Sequence, residues 1–309
     1  MTREAGESGE SERGEGASDT TVGSEPAVRA SDTIDMLELE VMAHAWSAIA
    51  EEMGSVLVRG SLSPNIRERR DASAALFDAG GRMVAQAAHI PVHLGAMPEA
   101  VRAVREKSPQ AGDVFILNDP YAGGSHLPDL TLVEAVAFDG AQGGVAGYAA
   151  VRAHHADVGG MSPGSMPQGA TELVQEGLIL PPTLLSRGGE MRDDILALIL
   201  ANVRTPDERR GDLRAQLAAC AAGANGLRTL IAREGRERVA ASGRALIDYT
   251  ARRAHAAIRA LGPRVARATD TLEGDGLTEH PVTIAVALHV RGDTLVLDFA
   301  GTSPQVRGN

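Results

Sequence analysis

The chain has 309 residues, 43% hydrophobic and 23% charged, which suits a globular protein of one large or two small domains. Thirty basic residues face 41 acidic ones, and aromatics make up only 3%, so a phosphate-backbone or base-stacking nucleic-acid binder is excluded. Lys107, the only lysine, stands in Glu106-Lys107-Ser108 and cannot build a Gly-Lys-Ser/Thr phosphate loop.

Residues 1–32 carry eight acids, three arginines and almost no large apolar side chain, which predicts a disordered acidic Gly/Ser/Glu tail. Order is expected from Thr33 onward. Ile34, Leu37, Val41, Ala45 and Ile49 recur at helical spacing, with Asp32 or Thr33 as the cap. Two β-like runs, Ala74–Phe77 and Arg82–Gln86, flank Asp78-Ala79-Gly80-Gly81 and predict a hairpin. A short helix follows, with Pro98 in its first turn.

Strands are then expected at Asp113–Leu117, Thr131–Phe138 and Gly147–Ala153, followed by a Gly/Pro/Met/Ser loop, Val158–Gly169, too long for a simple connector. Helical text covers Met191–Val203. Thr205 and Pro206 then open two long helices over 206–234 and 236–261, which end at Gly262-Pro263. Lone Cys220 lies in this helical text and reads as a buried, inert thiol; no intrachain disulfide or multi-cysteine zinc site can form. Val282–Val290 and Thr294–Phe299 alternate around Arg291-Gly292-Asp293 as a last hairpin.

The fold class expected is α+β: mixed strands and hairpins in 70–160, long helices in 190–262, and a C-terminal β-hairpin. One ordered region, 33–309, is expected to divide into 33–185 and 186–309. No run of about 18 apolar residues and no signal-peptide core is present, which predicts a cytoplasmic chain without a membrane partner.

Chemistry concentrates at two strand ends. Asn118-Asp119-Pro120-Tyr121-Ala122-Gly123-Gly124-Ser125-His126-Leu127-Pro128-Asp129 follows one strand, and His154-His155-Ala156-Asp157-Val158-Gly159-Gly160 ends another. Two histidines with carboxylates form a donor set for a divalent transition metal with open positions. Asp119 and Asp157 would ligate or orient the histidines, and strand alternation lets only one of His154 and His155 enter a given pocket.

Arg67, Arg69 and Arg70 could fork onto a carboxylate or carbonyl substrate, although such a run also suits a solvated face. His89 and His93, four apart in extended chain, could line one cleft, although both also suit core or surface positions. No Gly-x-Ser-x-Gly elbow or His-Glu-x-x-His helix is present.

Three stretches, SPNIRERRDASAALFDAGGRMVAQAAHIPVHLGAMP, GDVFILNDPYAGGSHLPDLTLVEAVAF and AHHADVGGMSPGSMPQGATELVQEGL, make the chain resemble the hydantoinase B family from about Thr33 to its last residue. That family includes N-methylhydantoinase B subunits, the matching part of 5-oxoprolinase and the acetone carboxylase α subunit.

The resemblance implies a B-type catalytic subunit of an ATP-dependent cyclic-amide hydrolase. Its A-type partner, with an actin/Hsp70-like ATPase fold, would use the ATP and phosphorylate the substrate. A ketone carboxylase α-type subunit is the alternative activity, and a non-catalytic fragment or scaffold of such a complex the alternative role.

The resemblance also implies a divalent metal (Mn, Zn or Fe) on His126, Asp129 and His154, which favours His154 over His155. Asp119 or Asp157 would be the catalytic carboxylate, and Arg69 and His93 would touch a small-molecule substrate. Family chains are longer, so this one resembles an N-terminal half, for which a C-terminal-half chain would be a further partner.

Overall fold

A computed structural model describes residues 34–138 and 144–308; the tail expected over 1–32 lies outside them. Helix α1 runs Met36–Gly60 and buries Leu39, Met42, Trp46, Ala50, Met53 and Leu57, one stripe at steps of three and four. Each large apolar side chain buried this way contributes about 1.5–3 kcal/mol. Its cap is Asp35, whose carboxylate accepts the Glu38 N–H at 2.7 Å, and not Asp32 or Thr33. A single turn, α2 (Pro64–Arg67), precedes the first strand.

Strands β1 (Ala72–Asp78) and β2 (Met83–Ala88) form the expected hairpin. The histidines that follow do not lie on an extended segment. Pro91 opens a 3-10 turn, Pro91–Gly95, which leads into α3 (Met97–Arg105). Strands β3 (Val114–Leu117), β4 (Asp129–Ala137), β5 (Val145–His154), β6 (Thr183–Arg187) and β7 (Glu190–Met191) complete a seven-stranded sheet, ordered β2-β1-β5-β4-β3-β6-β7 with antiparallel pairing throughout. The place where 33–185 was expected to meet 186–309 falls inside β6.

Three helices follow: α4 (Asp193–Ala201), α5 (Pro206–Glu234) and α6 (Arg236–Leu261), with the two long ones where the sequence puts them. Helix α5 packs on α1, β4 and β5. Gly223 makes the close approach to α1 feasible, because a Cβ there would fall 2.4 Å from the Met53 sulfur.

The two faces of the sheet differ. Leu130, Leu132, Val136, Ala149 and Val151 face α1 and α5, while Val133, Ala135, Tyr148 and Ala150 face α3. The C-terminal region holds β8 (Arg264–Leu272), β9 (Val282–Arg291) and β10 (Thr294–Asp298). The expected hairpin is β9–β10; β8 pairs on the far side of β9, and its nine residues are all exposed. Among the described residues no helix is long and apolar enough to cross a membrane.

Candidate metal centre

Three adjacent strands end at one edge of the large sheet. β1 begins just after Asp71, β4 begins at Asp129 and β5 ends at His154. Asp129 and His154 are direct cross-strand partners, and the His154 N–H donates to the Asp71 carbonyl at 2.9 Å. Because side chains alternate, Asp129 and His154 emerge on the α3 face together with Thr131, Arg152 and Ser73.

His126 arrives from the 118–128 loop. Gly123 sits there at φ +92°, and a Cβ on it would fall 2.3 Å from the Ala100 nitrogen, so only glycine fits. Asn118 ties the loop down from inside. Its amide donates to the Leu127 and Leu178 carbonyls at 2.7 and 2.9 Å, and its oxygen accepts the Leu180 N–H at 2.7 Å.

The three groups converge. His126 Nε2 lies 2.9 Å from His154 Nδ1, His154 Nδ1 lies 3.2 Å from Asp129 Oδ1, and His126 Nδ1 lies 3.3 Å from Asp129 Oδ2. One ligand atom from each of the three lies within 4.8 Å of the others. Two ligands at right angles, each about 2.1 Å from one cation, stand roughly 3 Å apart, so the spacing fits a shared divalent ion. Imidazole with carboxylate suits zinc, iron or manganese.

Asp129 is buried and held from all sides. Ser125 Oγ donates to its Oδ2 at 2.6 Å, and His93 Nε2 lies 3.4 Å from that oxygen. Burial opposes ionisation, but hydrogen bonds from His126, His154 and His93 outweigh it and hold the carboxyl well below the usual carboxylate range. His126 is raised above the ordinary imidazole value by its hydrogen bond to Asp129.

The remaining expected residues scatter. His93 joins the cluster as a buried group; its Nδ1 lies 3.1 Å from Ser73 Oγ, and its Nε2 lies 3.7 Å from Asp71. His89 packs against α1 at Gly54. Asp119 accepts the Tyr121 N–H at 2.9 Å and so shapes the loop that carries His126. Asp157 has both oxygens engaged, by the N–H groups of Gly159, Gly164 and Arg204 and by the Arg204 guanidinium. These bonds, working against burial, lower its pKa and make it the organiser of the 158–169 loop. Arg69 is exposed and makes no ion pair among the described residues.

Asp71, Ser73, Ser125 and Arg152 border the cluster without having been singled out in the sequence. Arg152 is fully buried; its Nε donates to Thr131 at 2.7 Å and its Nη2 to the Gly123 carbonyl at 2.6 Å. The signal available was alternation, since Arg152 stands two residues before His154.

A family model described as Hydantoinase B/oxoprolinase matches residues 35–309. The chain is 34% identical over 309 residues to 5-oxoprolinase 1 of Arabidopsis thaliana, a match covering 91% of this chain and 24% of that protein. It is 32% identical over 265 residues to caprolactamase subunit beta of Pseudomonas jessenii, covering 85% of this chain and 45% of that subunit.

The crystal structure of the ATP-dependent caprolactamase from Pseudomonas jessenii matches with a TM-score of 0.81 at 32% identity, over 89% of this chain and 48% of that one. Nucleotide-free acetone carboxylase matches with a TM-score of 0.76 over 86% of this chain and 37% of that one, and at 19% identity the likeness is one of fold. The chain thus spans half or less of the length of these relatives.

Proposed function

We propose, from the premise that the chain belongs to the hydantoinase B/oxoprolinase family, that it is the metal-dependent part of an ATP-driven cyclic-amide hydrolase. The observation that carries this reading is the convergence of His126, Asp129 and His154 at one sheet edge. Two relatives, a 5-oxoprolinase and a caprolactamase subunit, are named for cyclic-amide substrates. The beta-subunit name and the ATP dependence of the caprolactamase support a separate A-type ATPase partner for this chain. The absence of a phosphate loop agrees, since ATP would be used on that partner.

A divalent cation on the triad would supply Lewis acidity toward a carbonyl or phosphoryl oxygen. The chain's own residues do the rest. Asp129 fixes both imidazoles, and Ser125 and His93 fix Asp129. His126, the most exposed of the three at 39%, opens the cluster to substrate. Of the two carboxylates singled out in the sequence for this role, Asp157 has both oxygens engaged, so Asp119, half-buried on the loop that carries His126, would be the one to accept a proton during ring opening. Exposed Leu272 and Leu297 on the C-terminal strands, and Phe299 just past the last of them, suit a chain that works as one piece of a larger assembly.

The test is metal content by mass spectrometry of the purified chain beside His126→Ala and His154→Ala, followed by ATP-dependent hydrolysis of 5-oxoproline with the partner supplied. Near-stoichiometric metal, lost in both variants together with turnover, is expected. A well-folded wild type that takes up no added manganese, zinc or iron would sink the proposal.

A further inference from the structure

At the other end of β5, about 30 Å from the triad at roughly 3.3 Å per residue over its length, a cavity of about 290 Å³ opens between the β1–β2 turn, the start of β5 and the first turns of α6. Trp46, Phe138 and Val239 give it an apolar floor. Ala240 and Gly243 keep the α6 wall low, so the space is not filled by the helix that borders it.

The rim is cationic in a chain whose net charge is −11. Arg82, Arg236 and Arg244 all line it and are all exposed. Arg82 is neutralised by Asp78, with Nε and Nη2 at 2.9 and 2.8 Å from Oδ2. Arg236 instead lays its guanidinium 3.8 Å over the Phe138 ring, and neither it nor Arg244 has a carboxylate partner among the described residues. Two arginines with no carboxylate partner among the described residues, beside an apolar floor, form a receptor for an anion that carries an apolar body: the floor takes the ring or alkyl part and the guanidinium forks take the charge.

We propose that this cavity is a second ligand site, separate from the triad, for a small organic carboxylate or phosphate with an aromatic or alkyl body. Its occupant closes the positive rim and stacks beside Phe138.

The molecule carries its own reporter, because Trp46 is the single tryptophan of the chain and lines the floor, 3% exposed. The full chain is titrated with 4-nitrobenzoate, a tryptophan quencher of this chemical class, and with neutral 4-nitrobenzamide as control. Saturable quenching by the carboxylate is expected, with the half-quenching concentration raised at least about tenfold in Arg236→Gln/Arg244→Gln, the loss typical of charge-assisted hydrogen bonds.

Ala240→Leu, which fills the cavity while leaving both arginines in place, is expected to abolish the saturable phase. It guards against a misfolded double variant. Quenching that rises linearly, that is equal for the amide and the carboxylate, or that both variants leave unchanged would overturn the site.

Discussion

His154 and His155 are chain neighbours that leave β5 on opposite faces of one sheet. On the α3 face His154 stands 3.2 Å from a buried carboxylate and 2.9 Å from a second imidazole. On the α5 face His155 is wholly buried, with Nε2 2.8 Å from the Gln216 side-chain oxygen. Burial, reinforced by the Arg209 guanidinium, pushes His155 down to about 4, so it stays neutral. The same side chain becomes a candidate ligand where the sheet offers carboxylates and a structural plug where it offers an amide and a buried cation.

The largest expected effect separates the two. His154→Ala should weaken manganese or zinc binding at least about 100-fold, beyond the usual cost of losing a supporting contact, whereas His155→Ala should keep the metal. Equilibrium dialysis of the two variants reads this directly, and equal losses would erase the distinction between the faces.

Two stability measurements sharpen the contrast on the α5 face. Burial raises Glu134 to about 7, so the fold prefers its protonated form. That contribution is complete below the ordinary carboxyl value and is lost as pH rises through 7. Glu134→Gln should therefore match the wild type near pH 4 and exceed it at pH 8 by on the order of 2–3 kcal/mol in denaturant melts.

His155 has the opposite slope: its contribution is present above the ordinary imidazole value and is lost as pH falls toward 4. His155→Leu should cost about 1–3 kcal/mol at pH 7, chiefly through the unpaired Gln216 oxygen, and should flatten the acid limb. The two slopes oppose each other in the wild type, so each variant exposes the one it leaves behind.

The smallest effect concerns Cys220, which is buried, with its thiol raised by desolvation. A thiol reagent added to the native chain should react no faster than the chain opens, and Cys220→Ala should leave metal binding unchanged.

Periodicity and caps made α5, α6 and the β9–β10 hairpin legible in the sequence, because Pro206, Gly235 and Gly262 punctuate the helices and Gly292 turns the hairpin. The strand β8 was not legible: Arg264–Leu272 is half polar, and its pairing depends on β9. Of the site, the spacing of His126 and Asp129 and the choice posed by His154 and His155 could be read. The roles of Asp71 and Ser73 could not, since they follow from β1 lying beside β5, a long-range pairing that no local pattern encodes. His93 was placed near the chemistry for the wrong local reason, an extended segment that Pro91 coils instead.

The pairing of Asp129 with His154 also works as a ruler. Slipping β5 by one residue would set Ala153 or His155 opposite Asp129 and turn every β5 side chain over. Arg152 and His154 would then be driven among Leu130 and Leu132, while Val151 would leave that core. An unpaired buried charge costs about 3–5 kcal/mol, so the strand cannot misalign its donors without also spoiling its core. The irregularity at Val136/Ala137, at the far end of the ladder, takes up mismatch there and leaves the donor end in step. Alignment of the candidate metal ligands is thereby delegated to ordinary apolar packing one to three residues away on the same strands.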